Sequence, residues 1–270
     1  MGWRGAEYRC AIEPDPSFAR MTETMIERGS AWLRQFAAVP SARQRLVCLP
    51  HAGGTAGFYR TWAARLPHSM ELLAVRYPGR QDRLHEPLVT GMAELADRIT
   101  EALVPLLDRP LALFGHSMGA AVAYEVAARL EQRHAFRPSR LFVSGREAPH
   151  RGRVVDPDSR TDQALIDEMH GVDESERATL ADPDLRELIL PALRSDFRLI
   201  DEYRPRQPAV VAAPVTAYTG ISDPGCAVPA VRAWGELTSG GFDMRVFTGG
   251  HFYLVEAEPQ LVGDLVQRLR

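Results

Sequence analysis

Apolar residues fall along this chain in two rhythms that take turns. Six short runs are almost continuously apolar and stop at Gly or Pro: RLVCLP (45–50), ELLAVRY (71–77), LALFG (111–115), RLFVSG (140–145), PVTAYTG (214–220) and MRVFTGG (244–250). Each is too short for a helix, and continuous apolar character with such stops predicts buried parallel strands. Between them the apolar spacing lengthens to nearly 3.6. Met92 to Leu107 carries Leu95, Ile99, Leu103 and Leu106, and Ala120 to Leu130 is rich in small residues suited to packing on a sheet. Pro229–Leu237 and Leu261–Leu269 fill the later gaps. Strand and helix in alternation predict an α/β fold, an open and mostly parallel sheet with helices on both faces.

The rhythm breaks once. About seventy residues separate the run at Arg140 from the run at Pro214, and they hold DQALIDEMHGV and DPDLRELILPALRSDFRLIDEY. The second segment sets Leu185, Leu188, Ile189, Ala192, Leu193 and Phe197 on one broad apolar stripe, with Pro191 as an expected kink. Helices inserted without a strand predict a lid, at about 150–207. Pro14 and Pro16 interrupt a first segment, 1–30, that reads as irregular, which leaves 31–270 as one domain. No internal repeat is visible.

Composition narrows the classes. A length of 270 residues suits one large α/β domain, and a hydrophobic fraction of 45% supplies its core. The net charge of −3 lacks the basic excess of a nucleic-acid binder. No apolar run is long enough to span a bilayer, and the N-terminal residues lack the apolar core of a secretory signal. Cys10, Cys48 and Cys226 are scattered, with no CxxC pair. That argues against a disulfide framework or a zinc site and favours a cytoplasmic location.

The candidate chemistry centres on Gly115-His116-Ser117-Met118-Gly119, which lies between LALF and AAVAYEVAARL. A Gly-x-Ser-x-Gly match gains meaning only on a strand-to-helix turn, and this one is flanked by a strand pattern and a helix pattern. Such a turn lifts the Ser117 hydroxyl clear of the sheet and sets the Met118 N–H at a helix start, aimed at a developing oxyanion. A serine hydroxyl needs a base. Of eight histidines, His68, His85, His134, His150 and His170 lie in polar or helical surroundings, while His51 and His116 abut other motifs. His251, in TGGHF just past the last strand run, is the candidate base. Asp223, in TGISDPG after the preceding run, is the favoured carboxylate; Glu147, in SGREAP one strand earlier, is the rival. His51-Ala52-Gly53-Gly54 follows the first run, and the Ala52 N–H is the candidate second oxyanion donor.

LVCLPHAGG, VRYPGRQDRL, FGHSMGA, LFVSGREAP, LPALRSDFRLIDEY and GGHFYL occur in that order over most of Trp32 to Arg270. Together they resemble the type II thioesterases, the stand-alone editing enzymes of modular polyketide and nonribosomal peptide synthases. The resemblance implies the α/β-hydrolase fold with a helical lid and a triad of Ser117, Asp223 and His251. It also implies an acyl-serine intermediate and substrates carried on the phosphopantetheine arm of an acyl or peptidyl carrier protein. No metal and no bound cofactor is implied, since the phosphopantetheine belongs to the partner. Carrier proteins are generally acidic, so Arg76, Arg80 and Arg83 form a candidate docking cluster. A monomer is expected. The rivals are a carboxylesterase, lipase or acyltransferase on the same fold, which the same triad would serve, and a non-catalytic carrier-binding module, which would need no triad.

Overall fold

The computed structural model describes residues 31–152, 155–169 and 182–270. The irregular segment expected at 1–30, with Cys10, and the part of the insertion holding His170 lie outside the described residues.

Seven strands form one sheet: β1 (Leu33–Gln35), β2 (Gln44–Leu49), β3 (Met70–Val75), β4 (Leu111–His116), β5 (Arg140–Ser144), β6 (Val215–Gly220) and β7 (Phe242–Phe247), in the order β1-β3-β2-β4-β5-β6-β7. All neighbours are parallel except β1, which runs antiparallel to β3. The longer helices are α1 (Met92–Leu103), α2 (Met118–His134), α3 (Asp162–Glu168), α4 (Pro183–Glu202) and α5 (Glu258–Arg268).

Successive strand residues face opposite sides, and the core divides accordingly. Val47, Leu73, Leu113 and Val143 join one cluster with α1 and α2. Leu46, Leu72, Phe114 and Phe142 join the other, with Trp62 and with Leu261 and Leu265 of α5. Each such side chain removed from water contributes about 1.5–3 kcal/mol. The expected two-sided covering is therefore present. β1, which has no apolar run to announce it, adds an edge strand. β7 departs from the fully buried pattern: as the other edge strand it exposes Asp243, Arg245 and Val246.

The chain steps from β2 outward to β3 and then returns to lay β4 on the other side of β2. At such a reversal the loops leaving the two strands diverge and open a crevice at their carboxyl ends. The loop after β2 begins at Pro50, and Ser117 follows β4 directly.

The insertion between β5 and β6 carries α3 and α4. The Asp182 carboxylate caps α4 by accepting from the N–H groups of Asp184 (2.9 Å) and Leu185 (3.2 Å), with Pro183 at the first helical position. The helix continues through Pro191. Its middle places Leu190 and Leu193 in one core cluster, and its last turn places Leu199 and Ile200 in the other, while Leu185 and Leu188 are exposed.

Candidate active site

Ser117 holds a backbone conformation that a side chain resists, with φ 54° and ψ −117°. The neighbourhood imposes it. The Ser117 N–H donates to the Ser144 carbonyl at 2.8 Å, and the Ser117 carbonyl accepts from Ala120 N–H at 3.0 Å. The flanking glycines have no room for a Cβ. One on Gly115 would lie 2.0 Å from the Gly119 carbonyl oxygen, and one on Gly119 would lie 2.1 Å from that of Leu49. Met118 opens α2, so its N–H is one of the donors a helix leaves unpaired at its start.

Asp223 and His251 meet across loops that the ends of β6 and β7 bring together. Ile221 N–H donates to the Phe247 carbonyl (2.8 Å) and Ser222 N–H to that of Gly249 (2.9 Å). A Cβ on Gly220 would lie 2.2 Å from the Gly250 carbonyl oxygen, so the two backbones pass in direct contact. His251 Nδ1 and Asp223 Oδ2 are 2.7 Å apart. The other carboxylate oxygen accepts from Gly225 N–H at 2.9 Å. The Asp223 side chain is 1% exposed and the imidazole 29%. A carboxylate at Nδ1 makes that nitrogen the donor and leaves Nε2 with a free lone pair. Glu147, the rival acid, is also buried, but the carboxylate bonded to His251 is that of Asp223.

Beneath this pair lies a buried polar chain. His116 Nδ1 is 2.9 Å from Ser144 Oγ, which is 2.8 Å from the Tyr253 hydroxyl. The His116 and His251 rings stand 4.9 Å apart, centre to centre. Burial, with the imidazoles of His251 and His51 alongside, holds the His116 pKa well below the ordinary imidazole range. Burial likewise raises that of Tyr253. Both groups are neutral near pH 7.

The loop after β2 forms the other wall. Ala52 is buried, and Gly53 has φ +72°. Gly54 N–H turns back to the His51 carbonyl at 3.0 Å. The His51 ring is wedged between Phe58 and Phe252, each 5.0 Å away. Ala52, Ser117, Asp223 and His251 all line one cavity of about 610 Å³, which Phe197 and Ile200 of α4 also border. The candidate nucleophile, base, acid and oxyanion loop thus share a single chamber.

The three arginines of the expected docking cluster are all held by ion pairs. Arg80 points inward: its Nη1 and Nη2 donate to both carboxylate oxygens of Asp196 on α4, at 2.7 and 2.9 Å, with side-chain exposures of 10% and 8%. Burial pulls the Arg80 pKa down and the Asp196 carboxylate more than offsets this, leaving it raised. Arg83 is buried too. It pairs with Glu86 (2.6 Å), donates to the Arg76 carbonyl (2.5 Å) and stacks over the Trp32 ring. Arg76 is bound to Asp82 at 2.7 Å. Each of the three arginines thus has an acidic partner within the chain, and Arg76 with Asp82 stays partly exposed. Sequence reasoning also missed Asp196. Its signal was a carboxylate set among the apolar residues Leu193 and Phe197.

A family model for the thioesterase domain matches residues 44–269. The chain is 41% identical over 239 residues to "Thioesterase PikA5" of Streptomyces venezuelae, covering 88% of this chain and 85% of that protein. Among solved structures, the type II thioesterase BorB from the borrelidin biosynthetic cluster superposes with a TM-score of 0.80 at 39% identity, covering 90% of this chain and 99% of that one. RedJ, the thioesterase from the prodiginine pathway of Streptomyces coelicolor, gives 0.77 at 36% identity, covering 86% and 87%. With the family match running from β2 through the site loops and α4 to α5, the chain belongs to the thioesterase family, and within it to the type II thioesterases.

Proposed function

We propose that this protein hydrolyses acyl thioesters from the phosphopantetheine arm of carrier proteins and so clears aberrant or stalled units from a polyketide or nonribosomal peptide synthase. Ser117 is the nucleophile, His251 the general base and Asp223 the carboxylate that fixes its tautomer. His251 Nε2 takes the Ser117 proton as Oγ attacks the thioester carbonyl. The carbonyl π electrons move onto oxygen, where the N–H groups of Ala52 and Met118 receive the charge; one such donor is worth about 3 kcal/mol in the transition state. Collapse breaks the C–S bond, the carrier thiol leaves with the proton from His251, and an acyl-serine remains. Water, deprotonated by His251, attacks the ester, and the acid departs as Ser117 recovers its proton. Asp223 stays ionised throughout and stabilises the imidazolium. Helices α3 and α4 act as the lid of the acyl chamber. The reaction needs no metal or bound cofactor.

The observation that carries this reading is the 2.7 Å contact between His251 Nδ1 and the buried Asp223 carboxylate, in the chamber that Ser117 also lines. A hydrolysis screen of acyl-loaded carrier proteins tests it, with Ser117→Ala as control and simple oxygen esters of the same acyl groups in parallel. Release from the carrier outpacing the ester is expected. Faster turnover of the simple ester would make the protein a carboxylesterase, and no fluorophosphonate labelling of Ser117 would make it a binding module.

A further inference from the structure

The glycine loop has one backbone bond of its own, from Gly54 N–H to the His51 carbonyl, which leaves the Gly53 N–H and the Gly54 carbonyl to be fixed from elsewhere. Gly53 and Gly54 each have wide backbone freedom, so the peptide planes around Ala52 can flip unless something outside the loop fixes them. The restraint comes from α4. Asp196 Oδ2 accepts the Gly53 N–H at 2.8 Å. The same carboxylate holds the Arg80 guanidinium bidentately, and Arg80 Nη1 donates onward to the Gly54 carbonyl at 3.2 Å. Tyr77, whose ring lies 5.2 Å from the guanidinium, donates its hydroxyl to the Pro50 carbonyl at 3.1 Å. Packing follows the same route: a Cβ on Gly53 would lie 2.6 Å from Leu193 Cδ1 of α4. Polar groups on both sides of Ala52 are thereby tied to one buried ion pair, whose acid stands on the inserted helix and 116 positions from its arginine.

We propose that the Arg80–Asp196 pair is a latch that aims the oxyanion-hole loop, so that seating α4 over the chamber and orienting the Ala52 N–H are one event. This rests on the assignment of Ala52 as an oxyanion donor. Arg80 and Asp196 are positioning residues; neither borders the chamber. A buried ion pair adds little stability by itself and often yields to an apolar pair without loss. What an apolar pair cannot do is accept from Gly53 N–H and donate to the Gly54 carbonyl. Stability and aim therefore separate.

The test uses the full chain, an acyl-carrier substrate and two inhibitors. A trifluoromethyl ketone analogue of the acyl arm adds Ser117 and mimics the oxyanion; a non-reactive thioether analogue mimics only the ground state. In the wild type, the ketone is expected to move the Ala52 amide proton downfield in the NMR spectrum. Asp196→Asn is expected to lower kcat about 10- to 100-fold, less than outright loss of a donor. KM should stay within about twofold, ketone affinity should fall with kcat, and thioether affinity should hold. The double variant Arg80→Met/Asp196→Leu is expected to recover the wild-type melting temperature but not kcat. Recovery of kcat together with stability would overturn the latch, as would an effect confined to KM. A wild-type complex with no shift at Ala52 would overturn the donor assignment itself, and the latch with it. A shift at Ala52 alongside unchanged kcat in Asp196→Asn would overturn the latch alone.

Discussion

His251 and Asp223 stand on loops that the sheet itself holds together, whereas the glycine loop at 51–54 leans on a helix inserted from outside the sheet. On the first side, β6 and β7 are paired from Val215↔Phe242 to Gly220↔Phe247, and the backbone bonds continue past the strands to Ser222 and Gly249. The acid and the base then meet within a stretch of chain that the sheet has already ordered. On the second side, the tie from Gly53 N–H runs to Asp196, far away in the chain. One half of the site is ready whenever the sheet is folded. The other half depends on where α4 sits. In a thioesterase of this build the acid–base pair stays fixed by the sheet, while the tie from α4 bears on the glycine loop.

The largest effect should come from the residue both halves serve. Ser117→Ala is expected to cut kcat by a factor of about 10⁴ to 10⁶, in the range seen when a nucleophile that acts as part of a unit is removed. Single-turnover hydrolysis of a loaded carrier reads this, and a normal unfolding transition shows that the fold is intact. Residual turnover within tenfold of wild type would mean that the nucleophile lies elsewhere.

Breaking only the sheet-borne half comes next. Asp223→Asn keeps the shape but offers a donor where His251 Nδ1–H needs an acceptor, and a loss of about 10⁴ in kcat is expected by analogy with triads in general. Glu147→Gln, altering the rival buried carboxylate of the chamber, should cost less than about tenfold. Reversed magnitudes would move the acid to the end of β5.

How much of this could be read beforehand follows from the range of each interaction. The elbow was legible because its causes are local. Gly115 and Gly119 flank the serine, and the chain changes from apolar run to small-residue helix at that point. Asp223 and His251 were legible because each follows a strand run and meets a Gly or Pro turn, which also favoured Asp223 over Glu147; the 2.7 Å contact is with Asp223. β1 was not legible: Leu33-Arg34-Gln35 has a single apolar residue, and its strand character comes from pairing with the edge of β3. β7 was placed two residues late because its exposed Asp243 and Arg245 disguise its start. The pairing of Arg80 was hidden for a related reason. A basic cluster in a loop looks solvated until its partners are known, and the Arg80 partner is a carboxylate hidden in the stripe of α4.

The serine elbow meets the glycine-loop half at Gly119, where α2 passes over the end of β2. Gly119→Ala would drive a Cβ to 2.1 Å from the Leu49 carbonyl oxygen and 2.6 Å from that of Pro50. Both obstacles are backbone, so the helix must back away from the strand that feeds the oxyanion loop. A loss of about 3 kcal/mol is expected, the size of an overpacked core site. In urea unfolding the midpoint should fall with little change in slope. An unchanged midpoint would show that α2 and β2 can separate freely, and that the elbow and the oxyanion loop are less closely coupled than their contact implies.

The smallest effect probes the rigidity of the acid–base half through His116. This imidazole is fully buried against His251 and His51, bonded to Ser144, and kept neutral by burial. In the unfolded chain it takes up a proton near pH 6.5. Between that value and its depressed folded pKa the unfolded state binds more protons than the native one, so stability rises with pH and is lost as pH falls below about 6.5. One such group contributes a slope of at most about 1.4 kcal/mol per pH unit. The carboxylates whose pKa values are lowered by arginine partners, such as Asp97 and Glu86, act at lower pH and leave this window to the histidine. Urea unfolding at pH 7.0 and 5.5 should therefore show a loss that His116→Gln reduces by about 1.3 kcal/mol, whatever the substitution does to stability at pH 7. An equal loss in both proteins would mean that His116 gains its proton in the native state. The floor under His251 would then be a charged and yielding one, and the contrast between a rigid acid–base half and a helix-dependent oxyanion half would lose its physical basis.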